Sequence, residues 1–328
     1  MGEALEVAKV LVTPAVKLMD LVSGAIGTAY APCHKRKMAD ATAYEIDTIG
    51  KAMRNAADIP VVYTKDGVAI NSEDFQRLMQ RASNRFILQE AIKQHNIESV
   101  VDNAYEILET EEKCSAEPVE QGWINRFFNS VSDISDEDLQ ELWGKVLAGE
   151  IKQPKSYSLR TLEILKNLSK AEAECFKRLA PLVLKFGNCV FVTSNLKILN
   201  KYGVSYSDIL SLDECGLINS DGMVSLNPKV SIDMQVGIYN YSNILLLKGK
   251  NVGLNEISFG VFTLTNAGRE IYSILNHLSN ENFLCDFAEE IEECNMGKII
   301  MAIHKINKID ENGISYDESV MQEFPKTK

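Results

Sequence analysis

Apolar side chains occupy most positions of residues 5–30, and the polar ones fall at Glu6, Lys9, Thr13, Lys17, Asp20, Gly24 and Gly27. Spacings of three and four draw one narrow polar stripe along a helix. Thr13 is placed to cap it, with Pro14 at the first helical position. A helix this apolar must be covered by its own bundle, by a sister subunit or by a lipid surface. Leu18, Leu21, Val22 and Ile26 are the contact candidates. A simple membrane span is disfavoured, because Lys17 and Asp20 sit mid-segment and each costs about 2.5–3.5 kcal/mol at a bilayer centre. A second helix is predicted over 38–57, ending before Pro60. Residues 61–70 read as a small hairpin around Asp66-Gly67.

A long helix is predicted over 71–113. Phe75, Leu78, Ala82 and Phe86 mark one face, and Ile97, Val100, Ala104 and Leu108 continue it. Its middle is polar. Arg81, Arg85 and Gln89 are read either as a solvated face with i,i+4 pairs or as a docking surface for another chain. An acidic stretch with Pro118 serves as a linker. A helical pair follows over 118–153. Trp123, Phe127, Phe128 and Val131 lie at helical spacing. Ser135 is expected to cap the next helix, with Asp138 as its capping-box partner. Leu139, Leu142, Trp143, Val146 and Leu147 should point inward, and Gly149 and Pro154 should end the helix.

From Ser156 the pattern changes. Ser169 and Glu172 form a capping box for a helix over 170–186. A strand is predicted over 189–193, then a short helix over 196–201 and a Ser207-capped helix over 208–215 that Gly216 ends. β-Prone runs cover 223–226, 243–247 and 257–264, and Thr265 caps a helix reaching 278. Three helices followed by a hairpin of strands outline a winged helix, so 156–279 is assigned to a winged-helix-like domain. Residues 280–328 should add an acidic helix and a hairpin turning at Asn312-Gly313. The predicted fold class is mainly α with small β parts: an N-terminal helical bundle with one long helix (residues 1–60 supplying its apolar helices), then a winged-helix-like α+β domain.

Composition narrows the function. The 328 residues carry a net charge of −12, which opposes a polyanionic partner unless a local basic face overrides it. The one basic run is His34, Lys35, Arg36 and Lys37, suited to a solvated loop, anionic lipid or an acidic partner. The candidate recognition helix holds Asp208, Asp213 and Glu214, so nucleic acid is disfavoured as a partner. The seven cysteines are scattered, with no C-x-x-C and no zinc spacing, which suits reduced thiols in a cytosol. Glu3 and Glu6 stand where a secretory leader would be basic. The expected location is cytoplasmic, with a peripheral place at the inner membrane as the alternative. No phosphate loop, dinucleotide fingerprint, nucleophile elbow or zinc-protease motif occurs. No cofactor, metal or catalytic residue is nominated, and an enzyme is disfavoured. Glu150 and Arg160 flank a turn and form a candidate ion pair fixing the junction between the helical and winged-helix-like parts.

Three stretches carry a resemblance. They are Trp123-Ile124-Asn125-Arg126-Phe127-Phe128; Gln140 with Trp143-Gly144-Lys145-Val146-Leu147-Ala148-Gly149-Glu150-Ile151-Lys152 and Pro154; and Ser158-Leu159-Arg160-Thr161-Leu162. Together they resemble the bacterial family called domain of unknown function 2806. The segment from Gln80 through Arg81, Arg85 and Gln89-Glu90 to Glu98 is similar to the same family, as is Lys17-Leu18 through Gly24 to Pro32, so the likeness covers most of the chain. The family usually has Gly after the Pro of the middle motif. Lys155 stands there, so this turn must be made otherwise. The resemblance implies no catalytic residue. A second, fainter likeness, to the alpha-type abortive-infection proteins, lies in the apolar N-terminal helix, the Pro and basic patch, and an Ala-rich helix. The expected function is therefore a non-enzymatic interaction or effector protein of a bacterium or prophage, in phage defence, acting by self-association or partner docking. A winged-helix nucleic-acid-binding regulator and a membrane-active effector using residues 5–30 are the alternatives.

Overall fold

The computed structural model describes residues 13–26, 73–221, 224–275, 279–295, 297–310 and 313–325. The predicted helix over 38–57, the hairpin over 61–70 and the run Lys35, Arg36, Lys37 lie outside the described residues, as does the side chain of Ile26. The chain divides into two units, Met1–Leu162 and Glu163–Lys328.

The first unit is helical. It holds α1 (Pro14–Ile26), α2 (Glu73–Glu109), α3 (Gln121–Val131) and α4 (Glu137–Lys152). Helix α5 (Leu159–Asn167) crosses the division. The core is built where apolar stripes meet: Leu18 and Val22 of α1, Val100, Ala104 and Leu108 of α2, Phe127 and Val131 of α3, and Trp143, Val146 and Leu147 of α4 are all fully buried. Phe127 stacks on Trp123 with ring centroids 5.1 Å apart and meets Trp143 edge-on at 5.4 Å. Gly144 lets α4 approach α2 closely. A Cβ there would lie 2.6 Å from the Asn103 Cβ and 3.2 Å from the Val100 carbonyl oxygen.

Helix α4 begins one residue later than the sequence suggested. Asp136, not Ser135, caps it, accepting from the Leu139 amide at 3.2 Å. Glu137 and Asp138 then occupy the first turn, where the positive end of the helix dipole favours carboxylates.

The second unit is α+β. Helix α6 (Lys170–Leu179) opens with the predicted capping box: Ser169 Oγ accepts from the Glu172 amide and the Glu172 carboxylate from the Ser169 amide. It stops at Leu179 instead of running to 186. Pro181 lacks an amide hydrogen, and a 3₁₀ turn (Ala180–Leu182) leads into β1 (Leu184–Phe186). Next come β2 (Cys189–Thr193), α7 (Leu196–Lys201) and α8 (Tyr206–Glu214), capped by Ser205 rather than Ser207. Then follow β3 (Ile218–Asn219), β4 (Ser225–Leu226), β5 (Lys229–Val230), β6 (Gln235–Tyr239), β7 (Asn243–Gly249), β8 (Asn255–Glu256) and β9 (Phe259–Leu264). Helices α9 (Asn266–Ile274) and α10 (Glu281–Cys294) precede β10 (Ile299–Asp310) and β11 (Gly313–Phe324).

The β content exceeds the small parts expected. Among the described residues, an antiparallel sheet of nine strands runs β11-β10-β7-β6-β1-β2-β9-β3, with β4 also paired to β9; β5 and β8 form a separate pair. The C-terminal hairpin is therefore no separate tail, because β10 pairs with β7 from Ile299↔Gly249 to Lys305↔Asn243. The strands expected to form a wing are spread through this sheet. Helix α10 is acidic on one side only. Phe283, Leu284, Phe287, Ala288 and Ile291 are fully buried, and the Phe287 ring meets Phe191 at 6.1 Å and Phe259 at 5.4 Å.

Candidate functional site

Helix α2 changes character along its length. From Asn96 onward its inner face is core: Val100, Val101, Ala104 and Leu108 are fully buried. Ahead of that, large apolar side chains stand in solvent. Leu78 is 52% exposed, Phe86 48%, Leu88 62% and Ile92 49%. Large apolar groups that share one helix and stay wet mark an interaction surface more often than isolated ones do. The predicted docking residues Arg81, Arg85 and Gln89 lie on this half and are exposed.

Charge follows the same division. Arg77, Arg81, Arg85 and Lys93 lie in the first part of α2 together with Glu73, Asp74 and Glu90, whereas Glu98, Asp102, Glu106 and Glu109 close it with no Lys or Arg among them. Beside the acidic part, α2 and α4 enclose an open groove of about 670 Å³, lined by Asp102, Glu106, Glu137, Asp138, Glu141 and Lys145 among others. Lys145 pairs with Glu141 at 2.6 Å.

The N-terminal candidates are placed differently. Leu18 and Val22 are fully buried within their own unit, and Leu21 is half-buried. Lys17, predicted as part of a polar stripe, turns inward at its tip. Its ammonium donates to the carbonyls of Ser115 (3.0 Å), Glu117 (2.7 Å) and Ile151 (3.1 Å). The described part of α1 thus serves the core of this unit.

The Glu150 carboxylate holds the turn after α4 through backbone amides. It is 2% exposed, and its carboxylate accepts from the Lys155 N–H at 2.6 Å and the Tyr157 N–H at 3.1 Å. Lys155 has φ of 71°, the left-handed conformation that glycine adopts freely. The carboxylate clamp supports that conformation in a residue with a Cβ. Arg160 is exposed in the first turn of α5. Trp123 completes the corner by donating from Nε1 to the Tyr157 carbonyl at 2.8 Å.

These helices carry the motifs that a family model recognises. The model described as Protein of unknown function (DUF2806) matches residues 80–288. The chain belongs to that family. The match takes in most of α2, the Glu150 turn and the sheet as far as β9, and it does not bear on the abortive-infection likeness. No curated protein and no solved structure matches the chain.

In this DUF2806 member the second unit holds, among its described residues, a titratable cluster that the sequence did not announce. Lys185 pairs in register with Tyr239 and places its ammonium 4.7 Å over the Tyr241 ring and 5.8 Å from that of Tyr272. Burial pushes the Lys185 pKa down and those of both tyrosines up. The arrangement holds a cation between aromatic faces, at the place where β1 and β6 share one register pair. Neither Lys185 nor the tyrosines lie in a recognisable motif, since the three meet through sheet order and α9.

Chemistry of other kinds finds little footing. The six described cysteines are free. Burial pushes the Cys175 thiol up to about 12 and raises those of Cys189, Cys215 and Cys294, the opposite of an activated thiolate. Among the described residues no group of three His, Cys, Asp or Glu is placed to hold a metal ion, and no helix is long and apolar enough to cross a membrane.

Proposed function

We propose that this chain is a non-enzymatic interaction protein that works by self-association through the solvent-facing side of α2. The observation carrying this reading is the exposure of Leu88 and Ile92, four residues apart on one side of a helix whose second half is core. Burying such side chains contributes about 25 cal/mol per Å² of apolar surface. A second copy is favoured as the partner because Arg77, Arg81 and Arg85 precede Glu98, Asp102 and Glu106 along the helix, so one copy complements another. Phage defence, the setting suggested by the abortive-infection likeness, would make the assembly an effector.

Docking of nucleic acid through the winged-helix-like order of α6, α7, α8 and the following strands is the lesser reading. Helix α8 carries Asp208, Asp213 and Glu214, and Asp208 is held by Arg178 at 2.9 Å. Its charge opposes phosphate.

Sedimentation equilibrium of the full chain over a wide concentration range tests the proposal. The expected mass is twice 36.6 kDa for the native chain and 36.6 kDa for the Leu88→Asp, Ile92→Asp double variant. Both substituted residues are exposed, so circular dichroism should show an unchanged fold. A native chain that remains monomeric throughout contradicts the proposal.

A further inference from the structure

We infer that two copies pair antiparallel along α2, about a two-fold axis passing between Ala91 and Ile92. This rests on the self-association reading and supplies its geometry. At spacings of three and four, the side of α2 away from the core reads Arg77, Arg81, Arg85, Leu88, Ile92, His95, Ser99, Asp102, Glu106. Every one of these is exposed or half-buried.

An isologous contact sets each residue of a patch against its mirror position on the other copy. With the axis between Ala91 and Ile92, the stretch of α2 from Arg77 to Glu106 is self-complementary. Arg77 falls opposite Glu106, Arg81 opposite Asp102 and Arg85 opposite Glu98. Each Arg of the helix thus meets an acid, while Lys93 pairs with Glu90 of its own helix at 2.8 Å. Leu88 falls opposite His95 and Ile92 opposite Ala91, which puts exposed apolar groups at the centre. A parallel pairing would set Arg77, Arg81 and Arg85 against their own copies, and like charges facing each other select against that arrangement.

The groove between α2 and α4 fits this register. Its lining includes Ser99, Asp102, Asn103 and Glu106 on the α2 side and Glu137, Asp138 and the Glu141–Lys145 ion pair on the α4 side. Those α2 positions are the ones that face Arg77 to Asn84 of the other copy. The Glu137 and Asp138 carboxylates of α4 therefore extend the acid ladder that receives Arg77 and Arg81. The apolar centre supplies affinity, and the charge ladder supplies direction and register.

Spin labels at Asn84, Ile92 and Ser99, introduced one at a time as genetically encoded side chains in the full chain, test the geometry. Asn84 and Ser99 are mirror positions, so each should give the same interspin distance, on the order of 25 Å from 1.5 Å of rise per residue and the spacing of packed helices. Ile92 should give the shortest, near ~10 Å. Distances near ~10 Å at all three positions would mean parallel pairing and overturn the inference. Unequal values at Asn84 and Ser99 overturn the register while leaving self-association standing. Absence of any dipolar signal, with a monomer mass, overturns both.

Charge reversal supplies a second arm. Arg81→Glu should weaken the dimer at least about tenfold, and adding Asp102→Arg to the same chain should restore it. Arg77→Glu with Glu106→Arg, both at exposed positions, should behave the same way. Failure of both second substitutions to restore the dimer, in chains with unchanged circular dichroism, contradicts the register.

Discussion

The Lys17 ammonium donates to the Ile151 carbonyl at 3.1 Å, tying the first described helix to the last turn of α4. Three carbonyls converge on this ammonium, and cations near a helix C-terminus are also favoured by the helix dipole. Lys17→Met should lower stability by about 2 kcal/mol, since bonds to a charged donor contribute more than neutral ones. Leu18→Ala, on the same helix, should cost about 2–5 kcal/mol through loss of a fully buried side chain. Urea unfolding measures both. Near-native midpoints for both variants would mean that α1 is not part of this core.

Gly144 marks the closest approach of α2 and α4. Gly144→Ala places a methyl group against the Asn103 side chain and the α2 backbone. Overpacking of this kind costs about 1–3 kcal/mol, and a thermal melt should register it as a lower Tm. Ordinary helix propensity argues the other way, since alanine favours an exposed helix by about 1 kcal/mol over glycine. A stabilised variant would therefore show that the two helices are farther apart than described.

The turn at Lys155 holds a left-handed residue with a side chain, a conformation that costs roughly 1–2 kcal/mol outside glycine. Lys155→Gly should raise stability by about 1 kcal/mol. The ion pair it gives up, to Glu117, is solvent-exposed on both sides and contributes little. Glu150→Ala should do the reverse and cost about 2–4 kcal/mol, because two amides lose their acceptor. Chemical denaturation of the two variants gives the comparison.

Burial pushes the Glu290 carboxyl above its ordinary pKa, against the pull of the Thr193 hydroxyl, which donates to it at 2.8 Å, and of Asn195. A raised carboxyl pKa means that the folded state binds the proton more tightly than the unfolded state. Stability from this group is then greatest at low pH and falls as pH rises through the folded value. Glu290→Gln cannot ionise and should be more stable than the native chain at neutral pH. The gap should close below the ordinary Glu value of about 4.3. Thermal melts at both ends of that range check the sign.

Local chemistry was legible where neighbours in sequence make the structure. Ser169 and Glu172 are three residues apart and need nothing else to cap α6. At α8 the same rule chose the wrong serine. Ser205 caps because Asp208 sits three residues on and bonds back to the Ser205 amide at 2.8 Å, while Ser207 lies inside the helix. Strand β1 was hidden behind a helical pattern that ran past Pro181. Strand β6 is not legible locally, because Gln235-Val236-Gly237-Ile238-Tyr239 alternates weakly and carries a glycine. Sheet order depends on distant pairing, so no window of sequence shows β10 beside β7. The docking candidates Arg81, Arg85 and Gln89 were readable as polar helix positions. The exposure of Leu88 and Ile92 was not, because a helical pattern does not show which apolar side a neighbour covers. The polarity of Lys17 was plain, but its three carbonyl partners come from residues about a hundred positions away or more.

Amide hydrogen exchange read residue by residue at low and high protein concentration tests self-association through α2 most directly. The account predicts slower exchange at high concentration across residues 77–95, with residues 100–108 already protected by the core at both concentrations. Exchange across 77–95 that is fast and independent of concentration would contradict it.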